Sequence, residues 1–160
     1  MKVLDHFHAI IRGEVEPPPV SKLVGFRMTE AGEGTVTFEL EVDERHTSPP
    51  GSAHGGILCD VADAAMGCAY GTLLDDSETW TTVELKINYL RPAWPGARLR
   101  AEGRVVNSGR TLALTECDVV NGEGKLVARA SSTVMRLTRS PAVEPDRPGL
   151  DRLDDTATSS

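Results

Sequence analysis

The fold is decided by one stretch of the sequence, His54-Gly55-Gly56-Ile57-Leu58-Cys59-Asp60-Val61-Ala62-Asp63-Ala64-Ala65-Met66-Gly67-Cys68-Ala69-Tyr70-Gly71. It follows a turn rich in helix breakers, Ser48-Pro49-Pro50-Gly51-Ser52, and is predicted to become helical within a few residues. At about 100° per residue, one sector of this helix is apolar. That sector holds Ile57, Leu58, Val61, Ala64, Ala65 and Cys68, and the other side holds Gly56, Asp63, Met66, Gly67 and Tyr70.

Small residues make up much of this helix, and no Lys, Arg or Glu occurs between His54 and Gly71. A helix that faced solvent would carry such charges, so we expect this one to be covered on both sides. An unpaired buried carboxylate is costly, so its two Asp residues need a role. We interpret Asp60 as an exposed or hydrogen-bonded first-turn acid that suits the helix dipole, and Asp63 as a functional group.

Composition narrows the function classes. The 160 residues are 39% hydrophobic and 26% charged, which is typical of one globular domain. The net charge of -7 argues against a nucleic-acid surface. The sequence contains no apolar run of transmembrane length and begins without the apolar core of a signal peptide. We therefore expect a cytoplasmic protein that binds neither nucleic acid nor membrane.

The three cysteines, Cys59, Cys68 and Cys117, have no metal-ligand spacing. We expect the two on the helix to serve packing, with a nucleophilic Cys68 as the alternative, although no sequence feature lowers its pKa. Neither a metal nor a cofactor is expected. His46, in the loop before the helix, is expected to be structural or solvated.

Alternating apolar and polar residues predict the strands around the helix. A short helix is expected over 1–12 and a proline-rich break over 13–19. Strands are expected over 21–29, 35–42, 80–91, 97–106, 111–120 and 125–137. In the strand 80–91, one face is predicted to hold Val83, Leu85, Ile87 and Tyr89, and the other Thr82, Glu84, Lys86 and Asn88. This order fits an α+β fold in which a strongly curved antiparallel sheet wraps around one long central helix.

The residues resemble those of the hotdog-fold acyl-CoA thioesterases, in particular the phenylacetate-degradation (PaaI-like) type. Members of that family carry H-G-G at the helix start and an acid nine residues after the His. His54-Gly55-Gly56 and Asp63 match that pattern. The resemblance covers roughly 21–137 and implies a hotdog domain over 21–138. It leaves an N-terminal helix and proline-rich linker over 1–20, and a disordered tail over 139–160.

The resemblance also implies site residues. Six residues before the His the family usually has Asn or Gln, which helps to place the water or the thioester. This sequence has Ser48 there, whose single hydroxyl cannot replace both the carbonyl acceptor and the NH₂ donor of an amide. Gly56 is assigned with it to substrate binding. Thr82 is the candidate for the hydroxyl that completes the site, although a β-branched residue also simply suits a strand.

Thioester hydrolysis needs a base or nucleophile and a stabilised oxyanion. Asp63 suits the first need. The amide of Gly55 suits the second, because a helix N-terminus carries unpaired N–H groups and positive charge. His54 is expected to orient the turn by hydrogen bonding, with direct proton transfer as the alternative. For the phosphates of coenzyme A the candidates are Ser108, Arg110 and Arg91, each of which could equally be a solvated surface residue.

The expected reaction is hydrolysis of an aryl- or medium-chain acyl-CoA to the free acid and coenzyme A. A non-catalytic acyl-CoA-binding module and a hotdog hydratase or dehydratase are the alternatives. Gly55 and Asp63 are eight residues apart, about 12 Å along one helix, so both cannot reach one carbonyl. We therefore expect a homodimer with active sites shared between antiparallel helices, which the resemblance suggests pairs into a tetramer.

Overall fold

The structure is a computed structural model and describes residues 2–139. Its helices are α1 (Val3–Ile11), α2 (Pro19–Val24) and α3 (Gly55–Gly71). Its strands are β1 (Arg27–Gly32), β2 (Thr35–Glu41), β3 (Glu78–Tyr89), β4 (Arg98–Ser108), β5 (Leu112–Val120) and β6 (Leu126–Thr138). A single 3-10 turn, Glu44–His46, lies between β2 and α3. The tail predicted over 139–160 lies outside the described residues except for Arg139, and the predicted domain boundaries stay predictions.

One antiparallel sheet of six strands, in the order β1-β2-β4-β5-β6-β3, wraps around α3. The predicted α+β architecture is therefore confirmed. A Cβ at Gly103 of β4 would lie 2.3 Å from the carbonyl oxygen of Ala65, so glycine is what lets the helix approach the sheet this closely. The core lies between the two and includes Val36, Phe38, Leu40, Leu58, Val61, Ala65, Met66, Leu99, Ala101, Cys117, Val119, Ala130 and Val134.

The strand predicted over 21–29 is wrong in its first half. Pro19 begins α2, where its missing N–H costs nothing, and Gly25 ends the helix in the left-handed region at φ 92°. Leu23 faces outward and is 79% exposed. Because an apolar residue faces solvent, the apolar positions of α2 do not follow helical spacing and could not predict this helix. Strand β1 starts only at Arg27.

The predicted faces of β3 are also wrong in part, because a β-bulge at Val83 breaks the alternation. Val83 is 56% exposed, whereas Leu85 and Ile87 face the core. The bulge brings Thr82 onto the same inner face as Leu85. The side chain that the alternation placed opposite the core thus points towards α3, where it meets Asp63.

The central helix is enclosed, as predicted, but its apolar sector is wider than predicted. Three residues predicted to lie outside the apolar sector are buried: Met66, Gly67 and Tyr70. Ile57, Ala64 and Cys68 are only half-buried. The reason is that the sheet curves around the helix until β3 reaches its far side. There the Trp80 ring lies so close that a Cβ at Gly67 or Gly71 would come within 2.8 or 2.6 Å of it.

Helix α1 packs across the open side of this assembly. The Phe7 ring meets Trp80 edge-on, with 6.4 Å between the ring centroids. His8 places Nε2 2.9 Å from the Ala31 carbonyl oxygen of β1. These contacts fix α1 beside α3, and Val20 and Ser21 of α2 line the same side, so that α1, α2 and their linker form a wall there. No helix in residues 2–139 is long and apolar enough to cross a membrane, and the cytoplasmic location stays a prediction.

Candidate active site

The start of α3 is held by His54. Its Nδ1 accepts a 2.9 Å hydrogen bond from the Gly56 N–H, which makes it the N-cap. Its backbone N–H donates to the carbonyl of His46. The imidazole of His46 is buried and is engaged by the Asp43 N–H and the Val24 carbonyl, so the expectation that His46 is structural fits its surroundings. His54 thus makes the local hydrogen bond that an orienting role requires.

The Gly55 amide is a free donor at this helix end. Within residues 2–139 its N–H has no hydrogen-bond acceptor, because the first N–H groups of a helix lack intrahelical partners. Its carbonyl, in contrast, accepts a 2.8 Å hydrogen bond from the Tyr89 hydroxyl. The two residues line a cleft of about 490 Å³ that also contains Ser52, Ala53, Leu58, Leu90, Arg91, Pro92 and Ala93.

Two helical turns further on, Asp63 is half-buried and fixed in direction. The Thr82 hydroxyl donates a 2.8 Å hydrogen bond to its Oδ1. That bond leaves Oδ2 without a donor in the part of the chain that the structure describes, and therefore available as an acceptor. The hydrogen bond orients the carboxylate, and no side chain within residues 2–139 forms an ion pair with it.

Asp63 and Thr82 open onto a cavity of about 280 Å³ between α3 and the wall formed by α1, α2 and their linker. Apolar side chains dominate its surface, and the polar groups are few. The lining residues are Phe7, Ile10, Pro17, Pro18, Val20, Ser21, Phe26, Met28, Phe38, Asp60, Asp63, Ala64, Gly67, Cys68, Trp80 and Thr82. An apolar pocket with a few convergent polar groups is the usual form of a small-molecule site.

Asp60 borders the same cavity but remains exposed. Partial burial and, to a smaller extent, the charge of Asp63 raise the pKa of its carboxyl. The prediction that Asp60 is exposed agrees with the structure, but its placement in the first turn is wrong, because α3 begins at Gly55 and Asp60 is its sixth residue. Its closeness to the cavity is a second difference from the prediction.

Cys68 also lines the cavity. Burial, followed by the charge of Asp63, raises the pKa of its thiol to about 12. The pKa of Cys59 is raised in the same way, by burial first and then by Asp63 and Asp60. A thiol in such surroundings stays protonated at neutral pH, which argues against the nucleophilic Cys68. No group of three His, Cys, Asp or Glu side chains in residues 2–139 could hold a metal ion.

The other predicted residues are not gathered around Asp63 in one protomer. The Ser48 hydroxyl donates to the Ser52 carbonyl at 3.1 Å and so closes its own loop. Arg91 lies at the cleft beside Gly55 and donates to the Leu126 carbonyl. Ser108 and Arg110 are exposed in the β4–β5 hairpin at the opposite end of the sheet. The strand register puts about eight residues, or about 26 Å, between these two ends.

Sequence reasoning missed the wall of the cavity and Tyr89. The helical spacing of Phe7 and Ile10 indicated a helix, but nothing in it indicated that α1 packs over α3. The alternation of β3 predicts only a strand face for Tyr89. The sequence feature that could have indicated this contact is the pair Gly55-Gly56, because a helix that begins with two glycines leaves room for a side chain from another element.

Comparison with known proteins identifies the family. The family model described as thioesterase superfamily matches residues 50–128. Human acyl-coenzyme A thioesterase 13 is 31% identical over 107 residues, which are 66% of this chain and 76% of that protein.

Two solved structures agree. A mutant form of the phenylacetic acid degradation protein PaaI from Thermus thermophilus superimposes with a TM-score of 0.70 and 33% identity, over 75% of this chain and 100% of that one. A Streptococcus mutans protein bound to acetyl CoA gives a TM-score of 0.67 and 28% identity, over 71% of this chain and 90% of that one. The chain therefore belongs to the thioesterase superfamily, as a PaaI-like thioesterase with the hotdog fold.

Proposed function

We propose that the protein hydrolyses an aryl- or medium-chain acyl-CoA thioester, with Asp63 as the general base or nucleophile. The observation that carries the proposal is the Asp63 carboxylate, held by Thr82 with one oxygen free, at the wall of an apolar cavity. Such a carboxylate is placed to act on a group that the cavity binds.

Two routes use this carboxylate. As a base, Asp63 takes a proton from water while the water oxygen attacks the carbonyl carbon; the C–S bond then breaks and the coenzyme A thiolate leaves and is protonated. As a nucleophile, Asp63 attacks the carbon itself, expels the thiolate and forms an anhydride that water hydrolyses. In both routes the carbonyl oxygen becomes an oxyanion, to which the Gly55 N–H of the second copy in a shared site would donate a hydrogen bond. His54 orients that amide by holding the next one.

The acyl group would occupy the cavity bounded by α1. Phe7, Ile10, Met28 and Trp80 present ring and aliphatic surface there, and about 280 Å³ suits a compact aryl or medium-length acyl group. The polar Asp63 and Thr82 at its wall would then meet the thioester rather than the end of the acyl chain.

Shared sites in a homodimer support the same chemistry. Because Gly55 and Asp63 lie about 12 Å apart along α3, a second copy must bring its helix antiparallel to the first. Strand β3 is at the sheet edge, beside the outer side of α3, so its edge is open to a partner strand. We propose a dimer of this kind, and pairing of two dimers into a tetramer.

Coenzyme A recognition is supported by the relative bound to acetyl CoA. In one protomer Arg91 lies near Gly55, whereas Ser108 and Arg110 lie at the far end of the sheet. An antiparallel dimer would bring opposite ends of two sheets together. Phosphate binding by Arg91 from one subunit, and by Ser108 and Arg110 from the other, is therefore compatible with the shared site. Ser48 and Gly56 are proposed to border the thioester.

A non-catalytic acyl-CoA-binding module is the second candidate, and a hydratase or dehydratase the third. The oriented Asp63 argues against a simple binder, since binding gains nothing from a carboxylate aimed at a thioester.

The test is release of free coenzyme A, measured with a thiol-reactive dye over a panel of acyl-CoAs from acetyl to phenylacetyl and decanoyl. Asp63→Asn should lower turnover by about 10² to 10⁴-fold and leave folding intact. Asp60→Asn, on the same helix and the same cavity, is the matched control and should be mild. Binding of the thioester without thiol release would indicate the binding module. Near-normal turnover of Asp63→Asn would exclude the assignment of that carboxylate, and a comparable loss at Asp60 would move it there.

A further inference from the structure

Tyr89, the last residue of β3, stands over the first turn of α3. Its hydroxyl donates to the Gly55 carbonyl at 2.8 Å. A Cβ at Gly55 would lie 2.8 Å from Cζ and 2.9 Å from the hydroxyl oxygen of this ring. The close approach of Tyr89 is therefore one reason why residue 55 is a glycine. The ring remains 51% exposed at the cleft beside the helix N-terminus, so it is not a core residue.

The same peptide group is held from its other end by His54. The N–H of Gly56 donates to the His54 Nδ1 at 2.9 Å, and a Cβ at Gly56 would lie 2.9 Å from that nitrogen. The peptide between Gly55 and Gly56 thus has its carbonyl bound by Tyr89 and its N–H bound by His54. Each glycine leaves room for one of these two side chains.

Two consecutive glycines have more conformational freedom than any other pair of residues, so they hold a backbone direction poorly. An oxyanion donor works only if its direction is fixed before the charge develops. Since His54 already occupies the Gly56 N–H, the Gly55 N–H is the donor that remains for a ligand. The Gly55 N–H lies in the plane of the preceding peptide, which φ and ψ of Gly55 join to the Gly55–Gly56 peptide. Holding the second peptide in place therefore limits the rotation about Gly55 that would turn the donor away.

We propose that Tyr89 is a positioning residue for thioester hydrolysis, which fixes the Gly55–Gly56 peptide together with His54 and so aims the Gly55 N–H at the oxyanion. The proposal rests on the proposed function for its catalytic consequence. The clamp itself is a property of the free protein and is measured separately.

The experiment uses Tyr89→Phe, which keeps the ring and removes the hydroxyl. The exposed neighbour Asn88, on the opposite face of β3, provides the control variant Asn88→Ala. In wild type and both variants, kcat and KM are measured on the best acyl-CoA of the panel, Tm by calorimetry, and amide hydrogen exchange at Gly55 and Gly56 by NMR. Tyr89→Phe should lower kcat about 10-fold, with KM changed less than about twofold, because a misaimed donor affects the transition state more than binding.

Exchange at the Gly56 amide should rise at least about fivefold in Tyr89→Phe and stay unchanged in Asn88→Ala, since local opening is what the clamp prevents. If wild-type protein releases no coenzyme A, the proposed function fails while the exchange data still decide the clamp. If the wild type is active and Tyr89→Phe keeps its kcat, or Gly56 exchange does not change, Tyr89 has no positioning role. A fall in kcat that comes with a large fall in Tm or an equal change in Asn88→Ala would likewise overturn the proposal.

Discussion

The Thr82 hydroxyl lies 2.8 Å from Oδ1 of Asp63 and donates a hydrogen bond to it. The contact joins the middle of the central helix to the third strand, and it exists because the bulge at Val83 turns Thr82 inward. A hydrogen bond to a charged group is worth more than one between neutral groups, so this contact should hold the carboxylate in one orientation.

Thr82→Val should therefore lower kcat about 10-fold, since the isosteric side chain keeps the packing but leaves Asp63 free to rotate. Thr82→Ser restores a hydroxyl and should recover most of the lost activity. Both variants should melt within a few degrees of wild type. Equal activities of the Val variant and the wild type would show that Thr82 serves only the strand.

The cavity under α1 gives a prediction for acyl selectivity. Ile10→Trp should fill part of it and lower kcat/KM for phenylacetyl- or decanoyl-CoA at least 10-fold, while acetyl-CoA changes less than about twofold, since pocket volume discriminates on that scale. Ile11→Trp, on the same helix but outside the cavity lining, is the matched control. A uniform loss over the whole panel would place the acyl group elsewhere.

The stability of the fold should depend on pH through an ion-pair cluster on the outer face of the sheet. Hydrogen bonds from Arg129 and then Arg104 hold the pKa of the Asp118 carboxyl below its ordinary value. A depressed pKa in the folded state contributes stability above the unfolded pKa, and that stability is lost as pH falls through the folded pKa.

Asp118→Asn should accordingly destabilise the protein by about 1 kcal/mol at pH 7, and the difference in Tm should shrink as pH falls from about 5 to below about 3. Calorimetry across that range tests this, with Glu33→Gln in an exposed turn as the control. A difference in Tm that is constant with pH would show that the ion pairs of Asp118 contribute nothing.

The parts of the fold that were predictable depend on local periodicity. The central helix was readable because its small residues and H-G-G start are local, and the strands after it because they alternate. Helix α2 could not be predicted, because six residues are too few to establish helical periodicity and Leu23 points outward. Its sequence indicators were Pro19 at its start and Gly25 at its end. The bulge at Val83 leaves no mark of its own, and without it the inward direction of Thr82 could not be inferred.

The candidate site divides in the same way. His54, Gly55 and Asp63 follow from one local motif, and the structure places them on one helix as that motif implies. The contacts of Asp63 with Thr82 and of Gly55 with Tyr89 cross 19 and 34 residues of chain, which no local pattern specifies. The cavity depends on where α1 packs, and that is decided by tertiary contacts such as the Phe7–Trp80 ring pair.

The last prediction concerns the shared site. It uses two inactive variants, Asp63→Asn and Gly55→Pro, the second of which lacks the amide hydrogen but is compatible with the first helical position. A side chain at residue 55 also displaces the exposed Tyr89 ring, as its 2.8 Å approach requires, so circular dichroism should confirm that the helix is retained. Loss of the amide hydrogen and displacement of Tyr89 both affect the Gly55 side of the site, so the variant still carries an intact Asp63 for the mixing experiment.

In a mixed dimer, one site combines an intact Gly55 from the first chain with an intact Asp63 from the second, while the other site has lost both. Co-refolding equal amounts should restore up to about one quarter of wild-type activity, because half of the dimers are mixed and half of their sites are intact. Differently tagged chains, isolated by two affinity steps, show whether mixed dimers have formed. If they have formed and no activity returns, Gly55 and Asp63 do not meet across the dimer, and the shared-site arrangement is wrong.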